Sequence, residues 1–320
     1  MGSINWNEGG MPYLKGQFEK GRAVLFLGAG FSYDSKNKKG LSPPLGNELA
    51  KLLTEECGHD YKNEPLSIAY ENAQTMLGTA RLNSILTSHY QIDDLDSWYH
   101  IIKGITWHRI YTINIDNLIQ KIYLSQSKQS LKTIVCPNNI EERDQMFGEL
   151  QCIHLHGHIG YLSKKLTFTL SHFAEHTVKP NPWYQQLMDD LYRTPFIFIG
   201  TNIEEPQFQH YLNLRETKFQ NEREHRPKSF IVNPNISQLR RRTFLARNIQ
   251  PIECTANEFF TSLRDDVGFS NYDLDVVRET VFPNITFSDK ISKPVDTLNR
   301  YYEHILTDKL PINKLKASAK

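Results

Sequence analysis

Asn114, Asp116 and His156 are residues whose types and settings suit chemistry on a small molecule. The first two stand in Thr112-Ile113-Asn114-Ile115-Asp116-Asn117, which follows a short apolar run and opens an amphipathic segment, the pattern of a strand-to-helix turn. A carboxamide there both donates and accepts, so Asn114 can hold a sugar hydroxyl or a water, while Asp116 can accept from an amide N–H₂. The plain structural alternative is that Asn114 ends the strand and Asp116 caps the next helix. His156 lies in Leu155-His156-Gly157-His158 at the end of another apolar run. An imidazole with an ordinary pKa of about 6.5 suits proton transfer near neutrality. Strand alternation sends His154 and His156 to one face and Leu155 to the other. Only His156 stands at the carboxyl end beside a glycine, and His158, past the turn, is expected in solvent. A His-x-His-x-His zinc site is the alternative for the trio, with neither cysteine nor carboxylate neighbours to complete it.

A second group of residues suits binding. Ala23-Val24-Leu25-Phe26-Leu27 runs into Gly28-Ala29-Gly30-Phe31-Ser32. Neither glycine has a Cβ to block a phosphate, and the helix that follows offers free N–H groups. A Cβ on Gly30 is expected to intrude on the phosphate path, and Ser32 can donate to a phosphate or ribose or else cap the next helix. The third glycine of the dinucleotide fingerprint is missing, so this turn alone is weak. Phe198-Ile199-Gly200-Thr201-Asn202 repeats the strand-then-glycine arrangement, with Glu204, Glu205 and Pro206 after it. Asn233 ends the run from Ser229, and Thr255 follows the run that ends at Cys254. Each has an ordinary strand-terminus reading beside the ligand-binding one.

Apolar and β-branched runs must position these residues. They fall at Ala23 to Leu27, Arg109 to Ile113, Thr133 to Cys136, Cys152 to Leu155, Phe196 to Gly200, Ser229 to Asn233 and Gln250 to Cys254. Runs alternating with helical patterns predict an α/β fold, a Rossmann-like parallel sheet with helices on both faces. Ligands bind such sheets beyond the carboxyl ends of the strands, where the polar motifs sit. About eighty residues separate the first two runs, far more than a crossover needs. Helical periodicity at Leu45 to Leu53, Leu66 to Leu77 and Leu82 to Tyr90 predicts a helical insert, about residues 45–105, that caps the crevice. Pro182 to Tyr192 reads as another helix with proline in its first turn. The domain is expected over residues 15–270 and a C-terminal extension or linker over 271–320, with one helical stretch at Leu298 to Leu306. The last residues, from Leu310, read as a linker out of a catalytic portion or as an ordinary frayed terminus.

With 320 residues, 39% of them apolar, the chain can build one large core, and a net charge of +1 gives no global argument for nucleic acid or a membrane surface. Arg240-Arg241-Arg242 and the tail from Lys309 to Lys320 read as solvated basic faces. Cys57, Cys136, Cys152 and Cys254 form no Cys-x-x-Cys pair, so they read as small core residues of a reduced, cytoplasmic protein, not as a zinc module. No apolar run approaches the ~18 residues of a membrane span, and the first residues lack a secretory pattern.

Taken in this order, the glycine turn, the Asn114 turn and the Leu155-His156-Gly157 turn resemble the sirtuin (silent-information-regulator) family of NAD-consuming enzymes. The similarity covers about residues 18–265, and it is nearest to the sirtuin-like NADase domains of bacterial antiviral defence proteins. Thr106-Trp107, Ile110-Tyr111-Thr112, the Leu166 to Leu170 run before Phe173, and Phe198-Ile199-Gly200 carry it. The resemblance implies NAD⁺ as substrate with no metal, and Asn114 and His156 as a catalytic pair. It implies a nucleotide site made by Gly28, Ala29, Gly30, Phe31, Ser32, Asp116, Gly200, Thr201, Asn233 and Thr255. It also implies regulation through a homo-oligomer or through a sensor or ATPase, as partner or fused domain. Direct nucleic-acid and membrane binding are not expected. Two features depart from the protein deacylases. The zinc-binding cysteines are absent, and Leu41-Ser42-Pro43-Pro44-Leu45-Gly46 replaces a Pro-x-Phe-Arg loop, which puts an acyl-lysine channel in doubt. Glu205-Pro206 also replaces the Asp-Pro of the defence relatives. The alternatives to an NAD⁺ hydrolase are a deacylase or ADP-ribosyltransferase, and a sensor that binds an ADP-ribose-type nucleotide without turnover.

Overall fold

The computed structural model describes residues 4–125, 127–136, 148–163, 166–169, 181–204, 206–218 and 227–267. Helix α1 (Met11–Glu19) precedes strand β1 (Val24–Leu27), then come β2 (Ser35–Asn37), helices α2 (Gly46–Glu56) and α3 (Leu66–Tyr90), and β3 (Ile92–Leu95). Strand β4 (Arg109–Thr112), helix α4 (Leu118–Ile122), β5 (Ser130–Val135) and β6 (Glu149–His154) follow. The remaining elements are α5 (Pro182–Arg193), β7 (Phe196–Ile199), α6 (Pro206–Lys218), β8 (Ser229–Val232), α7 (Gln238–Ala246), β9 (Ile249–Ile252) and α8 (Ala256–Val267). All seven strands expected from the apolar runs are present. The C-terminal extension, its helical stretch and the basic tail lie outside the described residues.

The seven long-range strands form one parallel sheet in the order β5-β6-β4-β1-β7-β8-β9. Central strands β1, β6, β7 and β8 are buried at every position, as strands covered on both faces must be. Edge strand β5 is half-exposed, and β9 carries Pro251, whose missing N–H is tolerated at an edge. On one face Leu25, Leu27, Ile110 and Ile197 pack against Phe18 of α1, Trp98 and Tyr99 of a 3₁₀ helix (Ser97–Gly104), Ile122 of α4 and Phe259 of α8. On the other, Phe26, Tyr111, Phe196 and Phe198 pack against Trp183 and Leu187 of α5, Phe208 of α6 and Phe244 of α7. The α/β architecture with two helical faces is therefore the one expected.

The chain passes from β1 to β4 on one side, and after β6 it returns to β7 on the other side of β1. The connections after β1 and β7 therefore leave for opposite sides of the sheet, the topology at which ligands bind beyond the strand ends. The insert contributes α2 and α3, which form their own apolar cluster with Ile115 of the turn after β4 and with Ile159 and Leu166 after β6. Two features of this region were not expected. Strands β2 and β3 pair antiparallel as a small second sheet, and α3 is kinked at Gly78, whose φ is 70°. Short polar strands such as Ser35–Asn37 carry no hydrophobic period, so only pairing reveals them.

Candidate functional site

The loops after β1 and β7 meet backbone to backbone. Gly28 N–H donates to the Ile199 carbonyl at 2.9 Å, and Gly30 N–H donates to the Gly200 carbonyl at 2.9 Å. A Cβ on Gly28 would stand 2.5 Å from the Gly200 carbonyl oxygen, and one on Gly30 would stand 3.1 Å from the Gly200 Cα. Gly200 itself has φ +70°, and a Cβ there would fall on the amide nitrogen of Phe31. This corrects the expected reason for the glycines. The space they leave is filled by the neighbouring loop, so a Cβ at Gly30 meets protein and not an open phosphate path. Phe31 is also corrected as a ligand contact. Its ring is buried edge-on against Trp98 and Tyr99, its N–H donates to Gly28, and its carbonyl accepts from the Tyr99 hydroxyl at 2.6 Å. Ala29 is half-buried between the two glycines.

Against this junction the structure sets the turn after β4. Asn114 N–H donates to Thr112 Oγ1 at 2.9 Å, which fixes the chain as it leaves the strand. The Asn114 carboxamide then donates through Nδ2 to the Gly28 carbonyl at 3.0 Å and to Ser32 Oγ at 3.1 Å. Ser32 in turn donates to Asp116 Oδ2 at 2.6 Å, and Asp116 Oδ1 accepts from the Leu118 N–H at 3.0 Å. A carbonyl can only accept, so Gly28 dictates which end of the carboxamide faces it. Asn114 Oδ1 therefore points the other way, and it is buried with no hydrogen-bond partner among the described residues. An unsatisfied buried acceptor costs about 1–3 kcal/mol, a deficit that a donor on a bound molecule would remove.

Burial raises the Asp116 carboxyl above its ordinary pKa, while the Ser32 and Leu118 hydrogen bonds oppose that rise. The helix-capping alternative for Asp116 is realised in the Leu118 contact. Because both carboxylate oxygens already accept from the protein, a ligand amide would have to be a second donor to one of them.

His156 lies two residues beyond β6, buried, beside Gly157 with φ 94°, and its carbonyl accepts from Thr167 N–H at 3.0 Å. The expectation that His158 is solvated is wrong. It is 5% exposed, its ring meets that of His154 edge-on at 4.6 Å, and its Nδ1 accepts from Gly160 N–H at 2.9 Å. A 3₁₀ turn (Ile159–Tyr161) folds the chain back and covers it. His154 is equally buried, with Nδ1 against the Asn114 carbonyl at 3.0 Å and Nε2 against Gln120 Nε2 at 2.9 Å. Among the described residues no cluster of three or more His, Cys, Asp or Glu side chains is arranged to hold a metal.

Burial pushes His154 down to about 3 and His158 down to about 4, so both are neutral in the fold. Unfolded histidines take up a proton near pH 6.5, and the folded rings take it up only at the lower values. The unfolded state thus binds more protons between these limits, and stability is lost as pH falls from about 6.5 towards 3. The thermal midpoint should drop between pH 7 and pH 5, and less so in His154→Phe. A flat midpoint across that interval in the unsubstituted protein would show that neither ring is held neutral.

The other expected contacts lie further along the sheet. Thr201 is buried and its Oγ1 accepts from Ile203 N–H at 2.9 Å. Asn233 reaches Asn202 Oδ1 at 3.2 Å and caps its own turn through Asn235 N–H. Thr255 exchanges hydrogen bonds with Glu258 at the start of α8, a capping box that accounts for it without a ligand. Glu204 pairs with Arg240, and Arg241 pairs with Glu253, so two of the three clustered arginines are ion-paired at the surface. Sequence reasoning missed Thr112 and Gln120. Gln120 carried no distinguishing signal, since it and Lys121 are the two polar positions of a short helix whose Leu118, Ile119 and Ile122 are buried.

Residues 108–252 match the family model described as SIR2-like domain. That segment starts at β4 and ends with β9, so it omits β1, which the fold inserts between β4 and β7. A curated relative, the "NAD(+) hydrolase ThsA" of Bacillus cereus (strain MSX-D12), is 23% identical over 202 residues, 60% of this chain. The match spans 39% of that relative's length. A solved chain from work described as the structural basis for the mechanism and regulation of Sir2 enzymes superposes with a TM-score of 0.42 at 14% identity, covering 80% of this chain and 96% of its own.

Proposed function

We propose that the protein is an NAD⁺ glycohydrolase releasing nicotinamide and ADP-ribose, a reading that starts from the match of residues 108–252 to the SIR2-like domain model. The observation that carries the reading is the buried, unpaired Asn114 Oδ1, held at the carboxyl ends of β1 and β4. It is an acceptor for which the described residues supply no donor, and a ribose hydroxyl or a water would satisfy it. The name of the Bacillus cereus relative supports the choice of substrate.

In this mechanism the bond between C1′ and the nicotinamide nitrogen breaks, and the electron pair leaves with the nitrogen of the pyridinium, which becomes neutral. Water captures the oxocarbenium-like ribose, and His156 takes its proton. Asn114 orients the ribose or the attacking water, Asp116 holds the carboxamide of the leaving group, the Gly28–Gly30 turn holds the pyrophosphate through its backbone, and Gly200 and Thr201 face adenosine. Asn233 lies on the adenosine side. Orientation supplies most of the rate, because a bound and aligned pair avoids the entropy of encounter. The substrate is the protein's organic partner, and no metal enters the scheme.

The wider role proposed is that of a regulated effector in antiviral, abortive-infection defence, working in the cytoplasm. Its activity is held in check by oligomerisation or by a sensor or ATPase partner. Among the described residues no helix is long and apolar enough to cross a membrane.

Incubation of the purified chain with NAD⁺, alone and in host lysate, tests the reaction through quantified nicotinamide and ADP-ribose. An acetyl-lysine peptide is included in a parallel arm. Nicotinamide and ADP-ribose rising together, with the peptide untouched, is the expected outcome. Acetyl-lysine loss matching NAD⁺ consumption one for one would replace the hydrolase with a deacylase. Tight ADP-ribose binding without cleavage in either arm would replace it with a nucleotide sensor.

A further inference from the structure

Behind Asn114 the structure places a chain of side chains that the proposed chemistry does not use, and we infer that Gln120, His154 and His158 are positioning residues for the Asn114 carboxamide. The inference rests on the role proposed for Asn114 and extends it to residues outside the three turns. Each proton in the chain can be assigned from its neighbours. The Asn114 carbonyl can only accept, so His154 carries its proton on Nδ1 and donates it there at 3.0 Å. Nε2 of His154 is then a lone pair, and Gln120 Nε2 donates to it at 2.9 Å. That contact fixes the orientation of the Gln120 amide, whose nitrogen also lies 3.1 Å from Thr133 Oγ1. Gln120 Oε1 consequently faces His158 Nε2 at 3.3 Å and accepts from it. The assignment closes at the far end, because His158 Nδ1 accepts from the Gly160 N–H at 2.9 Å and so leaves its proton on Nε2.

From the Gly160 amide to the Asn114 carbonyl, every donor meets an acceptor in one consistent arrangement. Protonation of either imidazole would turn one of these contacts into two opposed donors. Asn114 is held from the front as well, since its N–H is bound by Thr112 Oγ1. Both peptide planes flanking its Cα are thereby fixed, which sets the point from which the side chain reaches Gly28 and Ser32 and so where Oδ1 lies. Packing alone does not require this chain. A methionine in place of Gln120 would fill similar volume on α4, but it would leave His154 Nε2 without its amide donor and His158 Nε2 without its acceptor. A satisfied polar network specifies one geometry in a way that an apolar contact does not.

The test uses the full chain with ¹⁵N-labelled histidine and asparagine. Long-range ¹H–¹⁵N spectra report each imidazole tautomer, and the Asn114 side-chain amide resonances, identified by their loss in Asn114→Ala, report the carboxamide. The expected result is an Nδ1–H tautomer for His154 and an Nε2–H tautomer for His158. In Gln120→Met the His154 Nε2 resonance should shift on losing its donor and the Asn114 amide resonances should move. With NAD⁺ as substrate, kcat should fall about 10- to 100-fold while KM stays within about twofold, as misplacement of a reacting group predicts. Unmoved Asn114 resonances, or an unchanged kcat beside a lowered melting point, would overturn the positioning role. If the wild type releases no nicotinamide, the proposed function fails while the two spectroscopic readouts still decide this inference. Should Gln120→Met not fold, Gln120→Glu serves in its place. It sets an acceptor against His154 Nε2, so the ring should appear as the cation, and an unchanged neutral Nδ1–H ring would again overturn the role.

Discussion

Purified Asn114→Ala and His156→Ala proteins should fold and release almost no nicotinamide from NAD⁺. Loss of a general base such as His156 typically costs ~10²–10⁴-fold in rate, which would nearly silence a slow hydrolase. For Asn114 the structure adds a cost to the fold. Its carboxamide donates to the Gly28 carbonyl and to Ser32, so alanine removes both bonds and leaves that carbonyl only the Phe31 N–H. Each lost hydrogen bond of this kind is worth about 1 kcal/mol, and a domain of this size loses roughly 2–4 °C of melting temperature per kcal/mol. Nicotinamide release should therefore collapse while the melting temperature falls by only a few degrees. Wild-type turnover by either folded variant would remove that residue from the mechanism.

The largest expected effect on the fold belongs to Gly200→Ala. Its φ of +70° is strained for any residue with a Cβ, and the Cβ would land on the Phe31 amide between the two loops that build the site. Gly78 supplies the control, because it has the same φ of +70° but no heavy atom within 4 Å of its Cβ position. Gly78→Ala should show the backbone cost alone, about 1–2 kcal/mol. Gly200→Ala should exceed it by several kcal/mol, in the range reserved for broken backbone junctions, and should weaken ADP-ribose binding in calorimetry. Equal losses in the two variants would mean that the junction is slack.

Local patterning was enough to state much of this. The seven apolar runs determined the strands, since a strand buried on both faces needs a continuous apolar stretch, and leucine periodicity determined α2 and α3. The polar termini of those runs determined which residues could face a crevice, and Asn114 and Asp116 do share one hydrogen-bond network. Tertiary structure alone decided what those residues touch. Gly28 and Gly30 read as a phosphate cradle in sequence and Gly200 as a second ligand-facing turn, yet the space they leave is occupied by each other's loops, about 170 residues apart in the chain. His158 read as solvated because a residue past a turn has no local reason to be buried, and the Ile159–Tyr161 turn buries it against His154. Gln120 drew no notice because a glutamine on a short helix has no meaning until two histidines from another strand and turn close around it. Periodicity is a property of neighbours along the chain, whereas a hydrogen bond across the sheet depends on which strands the fold sets side by side.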